Sequence, residues 1–265
     1  MGILNVTPDS FSDGGALLDP RRAIDTGVQM VEDGADLLDV GGESTRPGAE
    51  PLAEAEERQR VLPVIEGLAA KVRVPISIDT YKAAIADAAL AAGASIVNDV
   101  SGLRYEPALA DVVARRRAPI VLMHTRGRSR DMYHQAIYHD VVDEVLDELR
   151  ESIAFATRAG IPEERIIVDP GLGFAKDARH SYEVLARLHA FAELGRPVLA
   201  GPSRKSFLAR PLGGQLRAAD RDWATGAAVA AAVLAGAHIV RVHAVREMLQ
   251  VVRVADEIRK YKEEA

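Results

Sequence analysis

Short apolar runs alternate with longer amphipathic stretches along almost the whole chain. Eight of these runs are rich in Val, Ile and Leu, and they lie at 2–6, 36–40, 75–79, 95–99, 119–123, 166–169, 197–201 and 238–242. The runs are continuously apolar and show little alternation with polar positions, which is typical of strands buried on both faces of a parallel sheet. The pattern therefore predicts eight parallel strands.

The stretches between these runs have helical spacing and predict helices at 19–33, 51–71, 81–92, 106–116, 139–159, 180–194, 222–236 and 244–262. Asp19 and Pro20 give the first helix a capping residue followed by proline at its first position. A Gly-Ala pair precedes three of the strands, in GADLLDV, AGASIVNDV and AGAHIVRV, as in a repeating βα unit. Eight such units in 265 residues favour a closed (β/α)8 TIM barrel over an open doubly wound sheet, with residues 1–265 as one domain.

The longest irregular segments, 7–18, 41–50, 124–137 and 206–221, each follow a predicted strand. In such a barrel these segments lie on one rim, where the active site forms. Polar residues stand at nearly every strand end on that rim: Asn5, Asp39, Asp79, Asn98 with Asp99, His124 after Met123, Asp169, Ser203 with Lys205, and Arg241 with His243. A single residue of this kind is often a helix cap, but a buried ring is unfavourable unless its members are paired or contact a ligand.

Composition narrows the choice of partners. The net charge of −6 argues against a nucleic-acid partner, and the absence of cysteine excludes disulfides, thiolate metal ligands and cysteine nucleophiles. The histidines have no zinc-binding spacing. The first residues lack the pattern of a secretory signal, and the apolar stretch 224–240 is too short for a membrane span, so we expect a cytoplasmic protein without a membrane partner.

Two groups within the polar ring suggest two kinds of ligand. Asp79, Asn98 and Asp169 supply acceptors and an amide, which suit a flat heterocycle with ring N–H and amino donors. Arg46 and Arg241 supply cations that match the oxygens of a pyrophosphate. The loop GGESTRPGA, which contains Arg46, fits neither the phosphate-binding loop of nucleotide triphosphatases nor a dinucleotide-binding fingerprint.

Seven segments resemble motifs of the dihydropteroate synthase family and occur in the family's order. They are MGILNVTPDSFSDGG (1–15), DVGGESTRPGA (39–49), SIDTYKA (77–83), IVNDVSG (96–102), DPGLGFAK (169–176), GPSRKSFL (201–208) and IVRVHAV (239–245). The resemblance covers nearly the whole chain. It implies a pterin-binding TIM barrel and a transferase of folate biosynthesis. That enzyme condenses 6-hydroxymethyl-7,8-dihydropterin pyrophosphate with p-aminobenzoate, giving 7,8-dihydropteroate and pyrophosphate.

The resemblance also implies roles for individual residues. The pterin is expected to contact Asp79, Asn98, Val100, Met123, Asp169, Phe174, Gly201 and Lys205. The pyrophosphate is expected to contact Asn5, Thr45, Arg46, Arg241 and His243, and Asn5 to ligate a Mg²⁺ carried mainly by the pyrophosphate. The p-aminobenzoate site, where sulfonamides compete, is expected to include Phe11, Thr45, Pro47, Arg204, Lys205 and Ser206.

The family's mechanism is a dissociative substitution, for which the resemblance implies catalytic roles for Asp79, Asp169, Lys205 and Arg46. No Phe-Gly insertion of the kind found in drug-insensitive members is present, so sulfonamide sensitivity is expected. A homodimer through the last helices is a further expectation from the family.

Two alternatives remain open. A pterin-dependent methyltransferase domain would share the barrel and several pterin contacts, but it would not need TPDSFSDGG, STRPG or SRKS, which are all present. A noncatalytic pterin-binding paralogue is expected to have lost Asn5, Arg46 or Lys205, and none of these is lost.

Overall fold

A computed structural model describes residues 1–7, 19–46 and 48–263. Within them, eight strands overlap the eight predicted apolar runs. They are β1 (Gly2–Asn5), β2 (Leu38–Gly41), β3 (Ile76–Asp79), β4 (Ile96–Asp99), β5 (Ile120–Met123), β6 (Ile166–Asp169), β7 (Leu199–Ala200) and β8 (Ile239–Val240). Most of their apolar side chains are buried, as expected for strands covered on both faces, although both residues of β8 are half-buried.

The strands close on themselves. β1 to β6 pair in sequence order as one parallel sheet, and β7 pairs with β8. Isolated parallel bridges join Val168 to Val198 and Gly2 to Val242, which connects β6 to β7 and β8 to β1. At the second junction the Ile3 N–H donates to the Val242 carbonyl over 2.9 Å. The predicted (β/α)8 barrel is therefore confirmed.

An α-helix is described between each pair of successive strands and after the last one. The helices are α1 (Pro20–Glu32), α2 (Glu54–Ala69), α3 (Ala83–Ala92), α4 (Leu109–Arg116), α5 (Val141–Arg158), α6 (Ala178–Ala186), α7 (Asp222–Leu234) and α8 (Val245–Glu263). Asp19 caps α1 by accepting from the Arg21 N–H over 2.9 Å. None of the helices in the described ranges is both long and apolar enough to span a bilayer.

Three predicted helix boundaries are wrong by three residues or more; one of them is the start of α4, at Leu109 and not at 106, and the other two have a visible cause. The helix predicted from 51 begins at Glu54, because the backbone of Leu52 bonds instead to the side chains of Glu43 and Lys82. The helix predicted over 180–194 ends at Ala186, and a 3-10 helix follows over Leu188–Leu194. Both deviations reflect tertiary contacts or local backbone geometry that helical spacing does not report.

The main core lies between the barrel and the helices. Leu38, Ile65, Leu68 and Ile120 are completely buried there. Burying each such side chain contributes roughly 1.5–3 kcal/mol. This packing makes the barrel a rigid scaffold, and the residues at the carboxyl ends of its strands are held in fixed relative positions.

Candidate active site

One guanidinium group joins the ends of three strands. Arg241, just after β8, donates from Nε to Asp39 Oδ2 over 2.6 Å and from Nη2 to Asp79 Oδ2 over 2.7 Å. Asn98 of β4 donates from Nδ2 to the same Asp39 oxygen over 3.0 Å. The closed barrel thus brings Arg241, Asp79 and Asn98, which sequence analysis assigned to a ligand site, into one cluster.

Asp39 is the member of this cluster to which no role was assigned from the sequence. It is completely buried, and its Oδ1 has no hydrogen-bond partner in the described residues. The sequence contained one indication of its role. Asp39 lies inside a continuous apolar run, where it would be buried, and a buried carboxylate requires hydrogen-bond or ion-pair partners. Asp39 orients both Arg241 and Asn98 and therefore shapes the site without lying at its surface.

Burial shifts the titration of the groups that face the barrel's centre. It raises the pKa of Asp79 to about 7, against the attraction of Arg241. It raises the pKa of Asp169 to about 6, although the Gly171 N–H donates to that carboxylate over 2.7 Å. Burial, together with repulsion from Arg241, lowers the pKa of Lys205 to about 7, against attraction by both carboxylates. Such desolvated, mutually coupled groups are typical of a functional site.

The segment after β6 forms one wall of this site. Gly171 has a φ of +71°, and a Cβ there would lie 2.0 Å from the His124 carbonyl oxygen, so only glycine fits. The segment returns with Phe174, whose ring centre lies 3.7 Å from Lys205 Nζ. This cation–π contact places the ammonium of Lys205 over an aromatic face.

The remaining residues of the predicted pterin group lie around the same space. Met123 and Val100 are buried at the ends of β5 and β4. A Cβ at Gly201 would stand 3.8 Å from the Arg241 Cβ and 3.9 Å from Asp169 Oδ2, so this glycine lies between the two side chains. The set combines acceptors, one cation and apolar walls, an arrangement that suits a flat polar heterocycle.

A second cluster lies where β8 meets β1. His243 Nδ1 lies 2.9 Å from Ser203 Oγ, and its Nε2 lies 3.5 Å from Asn5 Nδ2. Burial, together with repulsion from Arg241 and other cations, lowers the pKa of His243 to about 3. The imidazole is therefore neutral at pH 7 and acts here through hydrogen bonds. Ser203 orients it and is a second residue to which sequence analysis assigned no individual role.

The residues of the β2 loop lie elsewhere on the rim. Thr45 lines a cavity of about 220 Å³ together with Tyr81, Val100, Arg128 and Phe174. Arg46 is exposed and has no ion pair within the part of the chain that the structure describes. Thr45 therefore lies near the pterin group, whereas Arg46 is not in contact with Asn5 or His243. Phe11 and Pro47 fall outside the described residues.

The turn after β7 is fixed from outside the barrel. Arg204 forms a two-pronged ion pair with Asp222 of α7, with two N–O distances of 2.7 Å, and its N–H donates to Thr225 Oγ1 over 3.0 Å. The guanidinium of Arg204 is thus used to anchor the turn that presents Lys205. Ser206 begins a 3-10 helix at the same rim.

A metal ion at this site would take most of its coordinating atoms from a bound small molecule and from water, and few from the protein. No group of three or more His, Cys, Asp or Glu side chains in the described ranges could hold an ion. The contact of Asn5 with His243 uses the amide nitrogen, so its oxygen is the atom available to a hard cation. One such oxygen fits Mg²⁺, which prefers one or two protein ligands together with phosphate oxygens and water.

The closed barrel and the polar pocket at the carboxyl ends of its strands define a TIM-barrel enzyme. Residues 1–243 match the family described as pterin binding enzyme. The chain is 46% identical over 256 residues to the dihydropteroate synthase of Bacillus subtilis (strain 168). This alignment covers 97% of this chain and 87% of that protein. It therefore belongs to the pterin-binding enzyme family, and within that family to the dihydropteroate synthases.

Solved structures agree with this placement. A dihydropteroate synthase of Xanthomonas albilineans with 4-aminobenzoic acid has a TM-score of 0.91 and 45% identity, over 97% of this chain and 92% of that one. A Yersinia pestis dihydropteroate synthase in complex with a sulfonamide drug has a TM-score of 0.92 and 38% identity, over 98% of this chain and 93% of that one. The resemblance seen in the sequence motifs is confirmed.

Proposed function

We propose that this barrel catalyses the condensation of 6-hydroxymethyl-7,8-dihydropterin pyrophosphate with p-aminobenzoate, giving 7,8-dihydropteroate and pyrophosphate. The observation that supports it best is the Arg241 cluster, which gathers Asp79, Asn98 and Asp39 at the centre of the rim. A TIM barrel needs no such buried polar cluster for stability. A ligand with matching donors and acceptors would compensate for its desolvation.

The cluster's hydrogen-bonding capacity fits the pterin ring. Asn98 uses its amide nitrogen on Asp39, so its amide oxygen is left to accept from a ligand. Asp79 and Asp169 provide carboxylates for ring N–H and amino groups, and Lys205 provides a donor for the ring's acceptor atoms. Phe174 would pack along a face of the ring.

The substitution breaks the bond between the pterin methylene carbon and a pyrophosphate oxygen and forms a bond from that carbon to the arylamine nitrogen. The nitrogen then gives up one proton, to the departing pyrophosphate or to water. In a dissociative route the pterin first becomes a cation, which Asp79 and Asp169 stabilise as carboxylates. The leaving pyrophosphate carries negative charge, which Arg241 and Arg46 stabilise, and His243 positions Asn5 and Ser203 at the same subsite. Removing one such preorganised donor typically costs roughly 2.7–4 kcal/mol of transition-state stabilisation.

The residues present are compatible with Mg²⁺ as cofactor. Bound with the pyrophosphate, the ion would neutralise part of the leaving group's charge, and Asn5 would be its protein ligand. Because the ion would enter with the substrate, a chelator should lower turnover without lowering the stability of the ligand-free protein. Unfolding by urea, with and without chelator, measures the second effect.

The arylamine is proposed to bind beside Lys205, between Ser206 and Thr45, and Phe11 and Pro47 are proposed to complete its pocket. The relatives with 4-aminobenzoic acid and with a sulfonamide drug support the chemical class of this ligand. A sulfonamide should therefore compete with p-aminobenzoate and not with the pterin substrate. Inhibition kinetics with each substrate varied in turn tests this assignment.

We also propose that two copies associate through α7 and α8. Val254, Ile258 and Tyr261 share one face of α8 at helical spacing and are 62%, 47% and 68% exposed, and Trp223 of α7 is 94% exposed. Exposed apolar groups clustered in this way are typical of an interface. Trp223 is the only tryptophan of the chain. Ile258→Glu should therefore halve the mass seen by sedimentation and red-shift the emission of Trp223.

One assay separates the proposed function from its alternatives. Purified protein is given the pterin pyrophosphate and p-aminobenzoate with Mg²⁺, and dihydropteroate and pyrophosphate are both quantified. Equal amounts of the two products are expected. Binding of the pterin without dihydropteroate would instead indicate a noncatalytic paralogue, and transfer of a methyl group from a methylated pterin would indicate a methyltransferase domain.

A further inference from the structure

The ammonium group of Lys82 joins the two ends of the loop that carries Thr45 and Arg46. Its Nζ donates to Glu43 Oε2 over 2.6 Å at the start of the loop and to the Leu52 carbonyl over 2.7 Å at its end. The Leu52 N–H donates to Glu43 Oε2 over 3.1 Å. One carboxylate and one ammonium therefore close this loop at its base.

Lys82 is itself held from α2. Its Nζ donates to Glu57 Oε2 over 2.5 Å, and Thr80 Oγ1 donates to the other Glu57 oxygen over 2.7 Å. Glu57 is 1% exposed, and Lys82 is 8% exposed. A buried ammonium with three oxygen partners has little freedom to move, so the position of Glu43 is set by the barrel and not by the loop.

Tyr81 fixes the second oxygen of Glu43. Its hydroxyl donates to Glu43 Oε1 over 3.1 Å, and its ring packs edge-to-face on Tyr105 with centres 5.2 Å apart. The Tyr105 hydroxyl donates to the Gly127 carbonyl, and the guanidinium of Arg128 lies 4.4 Å from the centre of the Tyr105 ring. The orientation of Glu43 thus depends on the loops after β3, β4 and β5 together.

The same segment connects the loop to the pterin site. Asp79 ends β3, and Thr80, Tyr81 and Lys82 follow it directly. On the other side of the contact, Glu43 is separated from Thr45 by one residue. A short rigid path therefore leads from the pterin carboxylate through Lys82 to the residue proposed to contact the arylamine.

We propose that Glu43 is a positioning residue that sets the place of the Thr45–Arg46 segment relative to Asp79, and with it the geometry of the arylamine subsite. This inference rests on the proposed function. Glu43 acts through Lys82 and Tyr81, so loss of its contacts should affect the arylamine more than the pterin ring.

The test compares Glu43→Gln and Tyr81→Phe with the wild type. Asp87→Asn is the matched control, because Asp87 also accepts from two basic side chains, Arg115 and Arg116, but on the outer surface of α3. Three quantities are measured for each: kcat/KM for p-aminobenzoate, the Kd of hydroxymethyl-dihydropterin, and hydrogen exchange of residues 44–50 in the ligand-free protein. Hydroxymethyl-dihydropterin lacks the pyrophosphate, so its Kd reports binding at the pterin-ring subsite alone.

Glu43→Gln is expected to lower kcat/KM for p-aminobenzoate at least tenfold and to accelerate exchange across 44–50, with the pterin Kd within twofold of the wild type. Tyr81→Phe should change the same quantities in the same direction by a smaller factor, and Asp87→Asn should change none. Unchanged kcat/KM in both variants, or a pterin Kd that rises in step with the loss of kcat/KM, would overturn the proposal. A wild type that forms no dihydropteroate would overturn the proposed function instead.

Discussion

Arg241 and Asp39 lie 202 positions apart in the chain, yet Arg241 Nε donates to Asp39 Oδ2 over 2.6 Å. The contact exists because β8 returns beside β1 and the barrel closes. The guanidinium that Asp39 holds is the group that also bonds to Asp79. The last strand thereby delivers its arginine to the centre of the site in one defined orientation.

Asp39→Asn tests this orientation. Replacing the carboxylate removes a charge-assisted hydrogen bond worth about 1.5–3 kcal/mol, which corresponds to roughly a ten- to hundredfold loss in kcat/KM for the pterin substrate. The loss should appear although Asp39 does not contact the substrate. Wild-type kinetics in this variant would show that Arg241 needs no support from Asp39.

Gly171→Ala should disrupt the wall formed by the β6 loop. The added Cβ would lie 2.0 Å from the His124 carbonyl oxygen, and the φ of +71° is unfavourable for alanine. Gly213→Ala is the matched control, because its φ is +85° and nothing lies within 4 Å of the place that a Cβ would take there. The control should lose only about 1 kcal/mol of unfolding free energy. The Gly171 variant should lose several times more, together with pterin affinity. Equal losses in urea unfolding would contradict this assignment.

Lys176 should make the stability of the protein depend on pH. Its Nζ lies 2.8 Å from His124 Nδ1 and donates to the Phe174 carbonyl over 3.1 Å, and burial lowers its pKa to about 7. Between pH 7 and about 10 the unfolded chain therefore binds more protons at this site than the folded protein. The free energy of unfolding should consequently rise with pH in this window.

Lys176→Met should lack that rise. Between pH 7 and pH 9.5 the free energy of unfolding, measured in urea, should rise in the wild type by on the order of 1 kcal/mol or more beyond any rise in the variant. Lys205, whose pKa burial also lowers, contributes equally to both proteins and cancels. Parallel pH dependence in the two proteins would show that Lys176 keeps an ordinary pKa.

The pH profile of catalysis should have an acid limb set by the buried carboxylates. Burial raises the pKa of Asp79 to about 7 and that of Asp169 to about 6. Both must be ionised to accept from the pterin, so protonation lowers kcat/KM as the pH falls from 7 to 5. This parameter reports the free enzyme's groups. A flat profile over that range would place the limiting ionisation elsewhere.

The fold was predictable from the sequence because the strands are continuous apolar runs. Asp79, Asn98 and Arg241 could be assigned to one site for a related reason, since the carboxyl ends of parallel strands share one rim. Spacing along the chain does not report which atoms pair. The role of Asp39 therefore emerged only from the closed barrel.

The directions of side chains on the rim were harder to predict. Arg204 stands in a motif that implies an arylamine contact, yet its guanidinium pairs with Asp222 of α7. Thr45 lines the same cavity as Val100, and the ion pair of Lys82 with Glu43 closes the base of its loop. Both outcomes depend on ion pairs between distant segments, and a sequence of residue types does not determine such pairs.

We propose that the polar ring at this rim is the active site of a dihydropteroate synthase. A single-turnover experiment can decide this. Excess protein is mixed with labelled pterin pyrophosphate, Mg²⁺ and p-aminobenzoate, and dihydropteroate is quantified for the wild type, Asp79→Asn and the control Asp87→Asn. We predict that the wild type and Asp87→Asn convert the label fully and that Asp79→Asn is at least a hundredfold slower. Equal rates in Asp79→Asn and the wild type would show that this ring is not the active site, and no dihydropteroate from the wild type would show that the protein is not a dihydropteroate synthase.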